Sequence, residues 1–266
     1  MPKDTKYVAK QPDENGFIAY SEAENAVWRD LVTQQQPSVN ALAARAFLEG
    51  QKKLNLPIDR VPQCVVVSQI LTDLTGWKVE PVPALIGFSR FFKMLSECTF
   101  PAASFIRDRE SFDYIEEPDI FHEIYGHTPL LTDARFAKLS QFIGKTGLVC
   151  DKADYAWLIR LYWFTVEFGL IKEGETIKAL GSGLASSPSE LGHAIHEPSV
   201  VRKPFDVIDI LRTPYRIDIN QPIYFVLESV DQLLETCQRD LLADIANARS
   251  LGLHAPTYPE KTNVSE

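Results

Sequence analysis

Apolar residues recur at helical spacing in SEAENAVWRDLVTQQQ (21–36) and again in SVNALAARAFLEGQKKL (38–54), each block opening on a serine suited to cap a first turn. This pattern predicts two helices. VPQCVVVSQILTDLTG (61–76) reads as a third helix ending at Gly76, and GFSRFFKMLSECTF (87–100) as a fourth. ASFIRD (103–108) and DYIEE (113–117) look extended, after which Pro118 and Asp119 set a new helix start. ARFAKLSQFIG and YAWLIRLYWFTVEFG are amphipathic helices stopped at Gly144 and Gly169. Short β pieces follow in ETIKALGSG (175–183) and YRIDINQPIYFVLES (215–229), with a helix turn around ASSPSELGHAI (185–195) between them. DQLLETCQRDLLADIANARS (231–250) closes the pattern as one long helix. The expected architecture is mainly α with short β-strands, divided into a polar N-terminal arm (1–20), a single domain (21–251) and a C-terminal tail (252–266).

With 266 residues, 45% of them apolar, the chain can bury a substantial core. A formal charge of −9 gives no general attraction to nucleic acid or to anionic membrane surfaces. The polar start MPKDTKYVAKQPDENG lacks the apolar core of a signal peptide, and no run is long and apolar enough to span a bilayer. A soluble, cytoplasmic protein is the expectation. Cys64, Cys98, Cys150 and Cys237 form no C-x-x-C pair and are expected to be reduced.

The stretch PDIFHEIYGHTPLL (118–131) carries two of the five histidines, His122 and His127, five residues apart. The zincin pattern H-E-x-x-H needs a spacing of four; on an unbroken α-helix a spacing of five turns the two side chains about 140° apart. Gly126 offers a way out, by leaving the helix and returning His127 from the following loop, with Pro129 reinforcing the stop. A third candidate is Glu167, an acid flanked by apolar residues in YWFTVEFGLI. A carboxylate facing a core is costly unless paired or metal-bound, although a solvent-facing glutamate fits the pattern too. Two histidines and one carboxylate, with positions left open, suit non-haem iron(II) and oxygen chemistry. His193 and His196 in GHAIHEP compete, without an acid in an apolar run beside them.

Trp163 lies four residues before Glu167 and so on the same helical face, placing an indole beside the candidate metal. Pro118 and Phe168 add apolar walls, and Arg107 presents a two-pronged guanidinium for a carboxylate. Core filling by Trp163 and an ion pair for Arg107 are the plain alternatives, and Ser186 and Ser187 read as helix caps or ligand contacts. Two rival functions stay open on these residues. One is a zinc hydrolase using His122, Glu123 and His127; the other is a non-catalytic module binding an aromatic ligand.

EEPDIFHEIYGHTPLL, YWFTVEFGL and IKALGSGLASSPSEL together resemble the pterin-dependent aromatic amino acid hydroxylases, most closely the small bacterial phenylalanine hydroxylases, over about Val61 to Ser229. The resemblance implies the catalytic-domain fold of that family, with iron(II) on His122, His127 and Glu167, a tetrahydropterin cosubstrate, and O2. It implies phenylalanine 4-monooxygenase activity, turning L-phenylalanine into L-tyrosine for phenylalanine catabolism or tyrosine supply. The pterin would stack on Phe91, near Ile86, Phe88 and Glu123, with Tyr162 at the edge of the site. The substrate carboxylate would pair with Arg107, assisted by Ser186, and its ring would lie among Pro118, Trp163 and His122. Asp119 would orient a ligand histidine. Ile115 departs from the family pattern, standing where animal members carry a hydroxyl residue. An apolar Ile217 in PYRIDINQP, where tyrosine hydroxylases bring an acid, suits an unsubstituted ring. No animal-type regulatory segment and no heptad-bearing C-terminal helix is expected, so a monomer or small homo-oligomer follows from the same comparison.

Overall fold

In the computed structural model, which describes residues 7–83, 86–113, 115 and 117–258, the chain begins with α1 (Glu22–Leu42), whose N-terminus carries a complete capping box between Ser21 and Glu24. The two helices expected over 21–36 and 38–54 divide later than the pattern implied: α1 runs through Pro37, and the break falls at Ala43 and Ala44 before α2 (Arg45–Leu54). Pro37 and Thr33 are both on the exposed face, so the carbonyl that loses its helical partner meets water. Gln35 and Val39 are buried beside them, and the Gln35 side-chain amide donates to the Ala185 carbonyl at 2.8 Å, holding the helix on course.

Next come α3 (Cys64–Thr75), β1 (Lys78–Val82), α4 (Phe88–Ser96) and β2 (Thr99–Ala103). β1 and β2 pair in parallel from Lys78 opposite Thr99 to Val82 opposite Ala103, and β2 is buried along its whole length. Of the extended pieces expected over 103–108 and 113–117, only Ala103, the last residue of β2, lies in a strand among the described residues, and Tyr114 and Glu116 lie outside them. The chain then enters a π-helical turn (Phe121–His127), α5 (Thr128–Leu131) and α6 (Ala134–Val149).

α6 does not stop at Gly144. A Cβ there would come within 2.4 Å of the Ser96 backbone nitrogen, and one at Gly147 within 2.2 Å of the Phe92 ring. These glycines let α4 and α6 approach closely and do not end the helix. Gly147→Ala is expected to lower stability by about 2–3 kcal/mol through overpacking against a fully buried ring, measured by urea unfolding.

Beyond α6, α7 (Tyr155–Tyr162) continues directly into a second π-helical turn (Trp163–Glu167), and the chain leaves at Gly169. β3 (Leu170–Glu173), β4 (Thr176–Ala179), α8 (Ser182–Ser186), α9 (Pro188–His196), β5 (Val201–Pro204), α10 (Val207–Arg212) and β6 (Ile223–Leu227) follow. The four strands form one sheet in the order β4-β3-β6-β5, antiparallel between β3 and β4 and parallel elsewhere. Only Ile223–Leu227 of the expected 215–229 strand is extended in a ladder; the residues before it form a loop.

The long closing helix is in fact two, α11 (Gln232–Thr236) and α12 (Leu241–Leu251), because Asp240 caps the second by accepting from the Ala243 N–H. Neither end of the described chain is loose. Tyr7 stacks on Phe105 at 4.7 Å, and past α12 the His254 ring meets Asp209 at 2.8 Å while Arg212 donates to the Gly252 carbonyl. The rest of the expected tail, 259–266, lies outside the described residues.

Candidate functional site

Both histidines of the pair stand on the first π-helical turn, from Phe121 to His127. Where backbone hydrogen bonds run from i to i+5, residues five apart come round to nearly the same side. The conflict between a five-residue spacing and a shared metal is therefore resolved by the turn itself. Gly126 does not leave the helix, contrary to the expectation above. Its missing side chain serves instead to admit α8, since a Cβ would sit 2.8 Å from the Ser182 carbonyl oxygen and 3.2 Å from Ser186 Oγ.

Glu167 ends the second π-helical turn, where the Phe168 N–H donates to the Trp163 carbonyl at 2.8 Å. Its carboxylate oxygens lie 3.1 Å from His127 Nε2 and 3.6 Å from His122 Nε2, and the two Nε2 atoms are 3.1 Å apart. Three side chains from two separate segments thus converge on one point. Burial pushes the His122 imidazole down to about 4, so it is neutral at physiological pH with a lone pair to give. Burial pushes the Glu167 carboxyl up, but His127 and His122 outweigh it and hold the group below its ordinary range.

Glu123 also brings a carboxyl oxygen within 4.8 Å of both histidines. Burial, with Glu167 and Asp119 adding to it, pushes that acid well above the carboxylate range. Of the two acids, Glu167 is thus biased towards the anionic form and Glu123 towards the neutral one. Two imidazole nitrogens and one carboxylate facing open space form a donor set suited to iron(II).

Ser186 does more than the sequence indicated. Its hydroxyl donates to the Ser182 carbonyl at 3.0 Å, so its lone pair receives the His122 Nδ1–H at 2.8 Å. That bond fixes the tautomer and leaves Nε2 free for a metal. Ser186→Ala is expected to weaken iron affinity about 10- to 100-fold with the fold intact, read by competition with a chelator. Ser187, its neighbour, caps α9 by accepting from the Glu190 N–H.

Asp119 meets His122 through the main chain. Its fully buried carboxylate accepts from the His122 N–H at 3.1 Å, and from Arg107 Nε and Nη2 at 2.8 and 2.9 Å. Burial raises this acid, but the Arg107 charge and hydrogen bonds bring it below the ordinary range. Arg107 is therefore in a buried fork rather than a surface ion pair, and it still lines the cavity described next.

The donor cluster opens on a cavity of about 970 Å³. The residues expected to hold metal, pterin and substrate all border it: His122, His127 and Glu167; Ile86, Phe88, Phe91, Glu123 and Tyr162; Arg107, Pro118, Trp163 and Ser186. Phe88 and Phe91 share a face of the first turn of α4, and Phe91 meets Tyr162 edge-on at 5.2 Å. Ile115 and Ile217 line the cavity as well, with Ile217 largely exposed; Asp218 also borders it and pairs with Arg216 at 2.8 Å. His193 donates towards the Gln221 carbonyl at 3.1 Å, and among the described residues neither it nor His196 joins a metal-ligating group.

Sequence reading missed Phe100, Tyr215 and Gln221. Phe100 stacks near the His127 ring at 4.7 Å, and Tyr215 lies flat on Trp163 at 4.3 Å. Each sits in a segment read only as a strand or helix end. Gln221, buried just before a proline in INQPI, carried a usable signal as an amide forced into the core.

A model of the family described as biopterin-dependent aromatic amino acid hydroxylase matches residues 3–253. The chain is 47% identical over 257 residues to the phenylalanine-4-hydroxylase of Vibrio cholerae, covering 97% of this chain and 89% of that protein. It is 45% identical to that of Pseudomonas aeruginosa, covering 97% and 98%. The structure of the cold-active phenylalanine hydroxylase from Colwellia psychrerythraea superposes with a TM-score of 0.92 at 50% identity, covering 94% of this chain and 97% of that one. That of the Chromobacterium violaceum phenylalanine hydroxylase with bound oxidised Fe(III) gives 0.86 at 35% identity, covering 92% and 91%. Agreement in sequence along nearly the whole chain, and in backbone at the same level, leaves one conclusion: the protein belongs to the biopterin-dependent aromatic amino acid hydroxylases.

Proposed function

We propose that this chain is a phenylalanine 4-monooxygenase, converting L-phenylalanine and O2 to L-tyrosine with a tetrahydropterin as cosubstrate and iron(II) held by His122, His127 and Glu167. The observation that carries this reading is the convergence of those three donors, from two π-helical turns, at the wall of an aromatic-lined cavity. When bound, iron(II) and the reduced pterin supply the electrons and open coordination positions that O2 needs to react with a substrate ring.

The chain's own residues divide the cavity between two guests. Phe91, with Ile86, Phe88 and Tyr162, offers the pterin an apolar platform, and Glu123 offers it a hydrogen-bonding carboxyl group. Arg107 keeps guanidinium N–H groups beyond those taken by Asp119, and these receive the amino acid carboxylate. Pro118 and Trp163 confine the ring next to His122, while Ser186 keeps that histidine's Nε2 aimed at the metal. The apolar Ile217 at the rim favours an unsubstituted ring.

The four free thiols support a reducing, cytoplasmic setting, and a monomer or small homo-oligomer acting without nucleic acid or membrane fits the net charge of −9. No helix among the described residues is long and apolar enough to cross a membrane. Aerobic incubation with each aromatic amino acid, followed by chromatography, tests the activity. Tyrosine is expected from phenylalanine only when iron(II), reduced pterin and O2 are all present; turnover with zinc alone would contradict the reading.

A further inference from the structure

Gln221 sits in the loop between α10 and β6, buried, with all of its polar groups engaged. Its main-chain N–H donates to Glu190 Oε1 at 2.7 Å, and its carbonyl receives His193 Nε2 at 3.1 Å. The side-chain amide donates to two carbonyls of its own loop, Arg216 at 2.7 Å and Ile219 at 3.0 Å. Its amide oxygen accepts the Trp163 indole N–H at 3.2 Å. Two carbonyls on one side and an indole N–H on the other allow only one orientation of the amide.

This arrangement ties together parts that are otherwise separate. Trp163 opens the π-helical turn that ends in Glu167, and the loop closed by Gln221 supplies Tyr215, Ile217 and Ile219 to the cavity wall. Tyr215 lies on the indole face, so the loop's position and the indole's angle are set jointly. Glu190 anchors the node from below: the oxygen that takes the Gln221 N–H also takes the hydroxyl of fully buried Tyr224.

We infer that Gln221, anchored by Glu190, is a positioning and specificity-determining residue: it locks the 215–221 loop to Trp163 and so fixes the width of the slot that receives the substrate ring. The inference rests on the hydroxylase reading above. A slot of fixed width favours a single ring over a fused one; loosening it costs the smaller guest its fit and relaxes the exclusion of the larger.

The test compares phenylalanine with tryptophan as substrates for wild type, Gln221→Leu, Glu190→Ala and Glu190→Gln, with iron content and melting recorded for each. Gln221→Leu is expected to raise KM for phenylalanine about tenfold while kcat changes less than about threefold, and to narrow the phenylalanine-to-tryptophan ratio of kcat/KM about fivefold. Glu190→Ala should move the ratio in the same direction, and Glu190→Gln, which keeps an acceptor at that point, should restore it. Iron content should stay at the wild-type level throughout. An unchanged ratio in both Gln221→Leu and Glu190→Ala would overturn the inference while leaving the enzyme assignment standing. So would failure of both variants to fold, since positioning requires the fold to survive their loss. A wild-type protein that hydroxylates neither amino acid would overturn the functional reading itself, and the inference with it.

Discussion

Glu167→Ala is expected to leave a folded protein that holds less than about a tenth of the wild-type iron and makes no detectable tyrosine. The carboxylate is the only anion in direct contact with both imidazoles, at 3.1 and 3.6 Å, among the described residues. Two neutral nitrogens alone give a divalent cation too few donors and no compensating charge. The fold should survive because the turn that carries Glu167 is set by its own backbone and by Phe164, Thr165 and Val166, all buried. Removing a buried anion also relieves a desolvation cost once no metal is there to offset it. Circular dichroism and metal analysis on the same sample separate the two effects. Iron at wild-type level in this variant would refute the donor assignment.

Arg107→Ala should be damaging in two ways that a second substitution can pull apart. The guanidinium forms a fork with the fully buried Asp119, which also accepts the His122 N–H. Its loss strands a buried carboxylate and is expected to lower stability by roughly 3–5 kcal/mol. It also removes the proposed partner of the substrate carboxylate, which is expected to raise KM for phenylalanine about 100-fold. Combining Arg107→Met with Asp119→Leu replaces both charges by apolar groups and should recover much of the stability but none of the substrate affinity. Urea unfolding and steady-state kinetics check the two halves. Because folded Asp119 is held below its ordinary range, its contribution is complete above the unfolded value near roughly 3.9 and fades as pH falls through the lower folded value.

The three residues that the fold brings together were legible in the sequence because their chemistry is unusual where they stand: an acid in YWFTVEFGL, and histidines beside a glycine and a proline. Their geometry was not. A reading built on 3.6 residues per turn has no place for two π-helical turns, so it sent His127 into a loop that does not exist. The long helices were visible as periodic patterns, but their ends were set by tertiary contacts: α6 passes Gly144 because α4 lies against it, and α1 passes Pro37 because Gln35 reaches Ala185. Strands β1, β3 and β5, four or five residues long, offered too little periodicity to register. The supporting bonds were the least visible of all. Ser186 on His122, and Gln221 on Trp163, join residues 64 and 58 positions apart, and nothing in either local sequence names its partner.

A crystal structure of the protein loaded anaerobically with iron(II) tests the centre most directly. The expected result is one iron bonded to Nε2 of His122, Nε2 of His127 and the Glu167 carboxylate, with its remaining positions facing the cavity. Iron bonded to Glu123 in place of Glu167, or the three groups turned away from a common ion, would contradict it.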